Sequence, residues 1–209
     1  MDIESKTANS KTTPSELNVT VFDSFKLCLS NFYDELRKLK VYNMAHWVNY
    51  IDRWIRNLNS ENIISYSRGA IVSVDLGAQN FKYEPSYTHP CIILVNRYNT
   101  LLVVPCSSKK YGTGFHEIID ATPLDGFSCN TGVQVESFRW IHKNRVVSTV
   151  GKASNGLLNK IDDHFLKLVP KYKMLIKDRS ESEKMLTNKI AELEKENTSL
   201  KAEIGELNK

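Results

Sequence analysis

Three short runs of Val, Ile and Leu set close together, Ile71–Leu76, Cys91–Val95 and Leu101–Val104, limit what this chain can fold into. The last two are too short for an ordinary helix and too uniformly apolar for a half-solvated strand. That is the mark of strands covered on both faces. A tight turn at Arg97–Asn99 parts the last two, and a long polar and aromatic stretch, residues 78–88, parts the first two. Downstream, the Gly-punctuated KKYGTG leads to a strand-like Phe115–Asp120, and the turn-rich DATPLDGFSCNTG follows. Gln134–Phe138 alternates as a further strand, and Arg145–Ala153 supplies a last short one. Strands this short, with turns this frequent, predict a small barrel rather than a parallel sheet with crossover helices.

Helical spacing flanks this module on both sides. Phe22, Phe25, Leu29, Phe32, Leu36 and Leu39 recur in steps of three and four, as do Met44, Trp47, Ile51, Trp54 or Ile55, and Leu58. Asn43 is placed to cap the second of these helices. Residues 17–60 therefore read as a helical hairpin whose stripes serve core packing, and the polar residues 1–16 as a disordered tail. After Asn155, Leu157, Leu158, Ile161, Phe165 and Leu168 form one helical face, and Pro170 marks a kink or a break. Residues 171–209 then carry a heptad with Leu186, Leu193, Leu200 and Leu207 at d and Ile190, Asn197 and Ile204 at a. Ile at a with Leu at d favours a two-stranded parallel coil, and a single Asn at a fixes its register. Lys189 would meet Glu194, and Glu196 would meet Lys201, across a homodimer.

Composition narrows the class further. A hydrophobic fraction of 41% and a charged fraction of 25% are those of an ordinary globular chain. No apolar run approaches the roughly 18 residues of a membrane span, and the first residues lack the pattern of a signal peptide. The four cysteines, Cys28, Cys91, Cys106 and Cys129, show no metal-ligand spacing, so a cytoplasmic setting and no metal or other cofactor are expected. A net charge of +4 permits a nucleic-acid partner without demanding one.

Four blocks in order carry a resemblance. They are RGAIVSVDLG (Arg68–Gly77), HPCIILVN (His89–Asn96), TLLVVPCSS (Thr100–Ser108) and ESFRWIHKNRV (Glu136–Val146). Together they resemble the MazF/PemK family of toxin endoribonucleases, with residues 67–169 as the matching domain. The resemblance implies an α+β fold: an SH3-like barrel that dimerises, here extended by the N-terminal hairpin and the C-terminal coil. It also implies metal-independent cleavage of single-stranded RNA, in which the RNA's own 2′-hydroxyl attacks the adjacent phosphate, and a cognate antitoxin as protein partner. The family places an Arg at the start of the second strand and a Thr or Ser at the end of the third. By position these fall on His89, a departure, and on Ser107. An imidazole titrates near neutrality and serves as base or acid, but it lacks the fixed charge and five donors of a guanidinium.

Around these two, Ser108, Lys109, Lys110 and Arg139 are candidate phosphate contacts. Phe81, Lys82, Tyr83 and Tyr87 interleave aromatic faces with a cation, as stacking on unpaired bases requires. Ordinary uses compete at each site: a strand-capping histidine, a loop folded over the barrel, an ion pair of Arg139 with Glu136 or Asp120. The second functional reading is a non-catalytic RNA-binding or regulatory module on a coiled-coil dimer.

Overall fold

The computed structural model describes residues 14–168 and 170–207. Most of the expected disordered tail, residues 1–13, lies outside the described residues, and Ser15–Leu17 forms one turn of 3-10 helix. The chain divides into two compact units. One joins the N-terminal helices, through Glu61, to Asp75–Thr88, and the other joins Asn62–Val74 to His89 onward.

In the first unit, α1 runs Val19–Leu36 and α2 runs Val41–Asn57. Asn18 caps α1 by accepting from the Val21 N–H at 3.2 Å. The N-cap of α2 is Lys40, which offers no side-chain bond, so the expected cap Asn43 lies inside the helix instead. The chain enters the helical conformation two residues before it. The hairpin closes on an edge-to-face contact of Phe32 with the buried Trp47, ring centroids 5.0 Å apart. Phe25, Leu29, Trp54, Ile55 and Leu58 of the same stripes remain exposed.

The second unit is built on a seven-stranded antiparallel sheet. Its strands are β1 (Ala70–Asp75), β2 (Thr88–Arg97), β3 (Thr100–Ser107), β4 (Ile118–Ala121), β5 (Thr131–Gln134), β6 (Arg139–His142) and β7 (Val146–Lys152). The order is β4-β5-β3-β2-β1-β7, with β6 pairing β3. β3 is the pivot. One edge of it pairs with β2, while the other pairs first with β6 over Thr100–Val103 and then with β5 at Cys106 and Ser107. The expected strand Gln134–Phe138 is corrected by this change of partner. The chain leaves β5 at Gln134, turns through a 3-10 helix at Val135–Ser137, and restarts as β6. Five alternating residues do not distinguish a strand from a turn that buries one of them, here Val135.

Helix α3 (Asn155–Leu168) covers the sheet, with Leu157, Leu158 and Ile161 joining Ile71, Ile92, Val104 and Val133 in the core. Arg68 clasps it from outside, donating to both carboxylate oxygens of Asp162 at 2.6 and 2.7 Å and to the Leu94 carbonyl at 3.1 Å. Helix α4 then runs Pro170–Leu207, with Pro170 at a first-turn position where its missing N–H costs nothing. Among the described residues no helix is long and apolar enough to cross a membrane.

Candidate functional site

The antiparallel register of β2 and β3 decides where the two strand-end candidates fall. Cys91 lies opposite Pro105, Ile92 opposite Val104, and Ile93 opposite Val103. Continuing that register sets Pro90 opposite Cys106 and His89 opposite Ser107. Pro90 has no N–H to give the ladder, so the pairing frays there and a side chain takes over. The His89 ring lies with Nδ1 3.1 Å from the Cys106 carbonyl oxygen. A carbonyl only accepts, so Nδ1 carries the hydrogen, and in the neutral ring the lone pair is on Nε2, which faces away from that bond. The acceptor belongs to the peptide immediately before Ser107. Half-buried imidazole and half-buried hydroxyl thus share one strand end.

Ser107 itself is held by β5, where Gly132 is its partner. A Cβ at Gly132 would come within 2.6 Å of the Lys110 carbonyl carbon, so only glycine lets the 3-10 turn Ser108–Lys110 pack down on β5. That turn presents Ser108 and Lys109 to solvent and leaves Lys110 half-buried. The Asp120 carboxylate accepts from the Gly112 N–H at 2.9 Å just beyond it.

Arg139 lies on β6 opposite Val103. Partners across a ladder share a face, and faces alternate along a strand. Arg139, Val103, Pro105, Ser107 and His89 therefore lie on one face, with Ile92, Val104 and Cys106 on the core face. Among the described residues, Arg139 has neither Glu136 nor Asp120 as an ion-pair partner. Its field is felt at Cys91, where burial pushes the thiol up, the neighbouring Cys106 adds to the rise, and the guanidinium pulls it back. Cys106 is also pushed far up by burial. Both thiols stay protonated and are not nucleophiles.

The other candidates belong to the first unit. Phe81 and Tyr83 are 79% and 90% exposed, with Lys82 exposed between them, so three of the four have free faces. Tyr87 does not: its ring stacks on His46 of α2 at 4.6 Å. The connection is hydrogen-bonded throughout rather than loose. Leu76 donates to the Tyr87 carbonyl at 2.8 Å, Tyr87 to Gly77 at 2.6 Å, and the Asn80 amide to Leu76 and Pro85 at 3.2 and 2.6 Å. Asp75, which also accepts from the Gly77 N–H, is ion-paired with Arg53 of α2.

Sequence reading missed Arg53 and His46. The only signal was their spacing of seven, which puts both on one face of α2. Among the described residues no three His, Cys, Asp or Glu side chains gather as a metal site.

Residues 67–169 match the family model described as PemK-like, MazF-like toxin of type II toxin-antitoxin system. No curated protein matches the sequence. Among solved structures, an endoribonuclease from a Mycobacterial species in complex with its cognate antitoxin is 16% identical (TM-score 0.38), covering 50% of this chain and 93% of that one. MazF from Deinococcus radiodurans is 14% identical over 50% of this chain and 96% of that one, with a TM-score of 0.44. A MazF toxin from Mycobacterium tuberculosis is 13% identical over 46% and 95%, with a TM-score of 0.35.

Proposed function

We propose that the PemK/MazF-like toxin domain formed by residues 67–169 makes this protein an endoribonuclease that cuts single-stranded RNA without a metal ion, as the toxin of a type II toxin-antitoxin pair. The observation that carries the reading is the bond from His89 Nδ1 to the Cys106 carbonyl. It fixes the tautomer whose Nε2 accepts a proton, at the strand end that also bears Ser107. In the proposed reaction Nε2 takes the proton of the RNA 2′-hydroxyl. The 2′-oxygen bonds to the adjacent phosphorus, the bond to the 5′-oxygen breaks, and that oxygen takes a proton from water. Ser107 and Arg139, on the same face, donate to the phosphate oxygens as charge gathers there, with Ser108, Lys109 and Lys110 holding the flanking backbone. Phe81 and Tyr83 supply stacking faces for unpaired bases and Lys82 a phosphate contact, with Tyr87 in the same connection.

Two partners belong to this reading. An antitoxin is proposed because one similar structure is that of an endoribonuclease crystallised with its cognate antitoxin. A second copy is proposed through the barrel and through α4. Leu186, Ile190, Leu193, Leu200 and Ile204 are each more than half exposed along one seam of α4, an arrangement that a partner helix would cover. The side chain of Leu207, the last position of that seam, lies outside the described residues. Upstream, the seam positions Arg179 and Glu183 are polar and pair within the helix at 3.2 Å, so the zipper begins at Leu186.

The test is incubation of purified protein with single-stranded RNA in EDTA, alongside His89→Ala and Ser107→Ala. Cleavage by the wild type and its loss in both variants is expected. Equal cleavage by all three overturns the assigned site, and RNA binding without cleavage by the wild type returns the protein to the binding-module reading that His89 in place of Arg favours.

A further inference from the structure

The N-terminal hairpin lies outside the matched domain, yet it forms one unit with the connection between β1 and β2. Two side chains of α2 grip that connection at its two ends. Arg53 pairs with Asp75, where β1 gives way to the connection, and the Asp75 side chain is only 6% exposed. His46 stacks on Tyr87 with an interplanar angle of 25°, and Tyr42 makes a T-shaped contact with the same imidazole, ring centroids 4.4 Å apart. Within the connection two non-glycine residues take positive φ, +41° at Lys82 and +67° at Tyr87. A non-glycine residue holds positive φ only where its surroundings over-determine it. The exposed tip is tied down as well, with the Phe81 N–H donating to the Glu84 carboxylate at 3.2 Å and the Glu84 N–H to the Phe81 carbonyl at 2.9 Å.

We propose that Arg53 and His46 are positioning residues for RNA: α2 holds the base of the β1–β2 connection so that Phe81, Lys82 and Tyr83 are presented in a fixed, ready conformation. This rests on the reading of those three residues as an RNA contact. The physical argument is preorganisation. Ordering a loop on binding costs conformational entropy for each residue fixed, and a loop already fixed by its own protein does not incur that cost again. An ion pair at one end and a ring stack at the other are suited to this, because they fix position without occupying the tip.

The experiment measures equilibrium affinity for a single-stranded RNA whose 2′-hydroxyls are methylated, so that the protein binds it without cutting. Arg53→Ala and His46→Ala are expected to weaken binding about tenfold, within the range of losing one base–aromatic stack. His46→Phe, which keeps a ring against Tyr87, is expected to restore it, and Arg53→Lys to restore it in part. Arg56→Ala, which breaks only the exposed pair with Asp52 on the same helix, is expected to have no effect. The rescue by His46→Phe separates positioning from a general loss of fold. With cleavable RNA the same variants raise KM and leave kcat unchanged.

Unchanged affinity in Arg53→Ala and His46→Ala, while Phe81→Ala and Tyr83→Ala weaken binding, overturns the positioning role and leaves the RNA contact standing. Unchanged affinity in all four overturns the contact itself.

Discussion

Helices α3 and α4 follow each other almost directly, and both carry Leu and Ile at three- and four-residue spacing, yet they meet opposite fates. In α3 the stripe is covered: Leu157 and Ile161 are 1% and 0% exposed. Its start is fixed by Ser154, whose hydroxyl accepts from the Leu157 N–H and donates to Asp125, and its outer side by the fork of Arg68 on Asp162. Helix α4 spans 38 residues, roughly 57 Å at 1.5 Å per residue, and its charged pairs, such as Lys177–Glu181 and Lys189–Glu192, are made within the helix. Exposed pairs of that kind contribute little stability. The same periodicity thus records two relationships. One stripe finds its partner in its own sheet, and the other keeps an apolar seam that none of the described residues covers.

The largest expected effect that would sharpen this contrast comes from matched substitutions. Leu157→Ala removes a buried side chain beneath α3 and is expected to cost about 2–5 kcal/mol of folding stability, read by denaturant unfolding. Leu193→Asp in α4 is expected to leave unfolding of the sheet unchanged while abolishing the proposed dimer, read by analytical ultracentrifugation. A monomeric wild type, or a Leu193→Asp variant whose sheet unfolds as readily as that of Leu157→Ala, would erase the distinction.

A smaller effect concerns the far end of α3. His164 is buried there, with Nε2 lacking a hydrogen-bond partner among the described residues, and its ring lies 5.3 Å from that of His116. Burial holds it below the usual histidine value, as do the nearby charges of His116 and Lys167, while Glu117 and Glu136 pull the other way. With the folded value below the unfolded 6.5, the unfolded chain binds the proton first as pH falls. Stability attached to neutral His164 is complete above about pH 6.5 and is lost as pH drops from there through the folded value. Replacing it with His164→Phe should flatten that part of the profile of melting temperature against pH. An unaltered slope would show that other groups set it.

The sheet was legible because strands covered on both faces leave unbroken aliphatic runs, and β2 and β3 each contain one. The strand ends at His89 and Ser107, and their facing one another, were legible through family resemblance, but the bond that ties the imidazole to the peptide before Ser107 was not. That bond depends on Pro90 withdrawing from the ladder and on the imidazole replacing it, a geometric consequence that no residue pattern records. The change of partner along β3 was hidden for a similar reason, since Val135–Ser137 alternates like a strand while forming a turn. The grip of α2 on Asp75 and Tyr87 joins residues more than twenty positions apart through one ion pair and one stack. Neither leaves a periodic trace.

The most direct test of the central claim replaces the imidazole by a group that keeps its hydrogen bond and loses its base. His89→Asn offers an amide N–H to the Cys106 carbonyl but has no counterpart of Nε2. If His89 takes the 2′-hydroxyl proton, this variant binds methylated single-stranded RNA as the wild type does, and its kcat on cleavable RNA falls by about 10²–10⁴-fold. Wild-type kcat in His89→Asn would contradict the account.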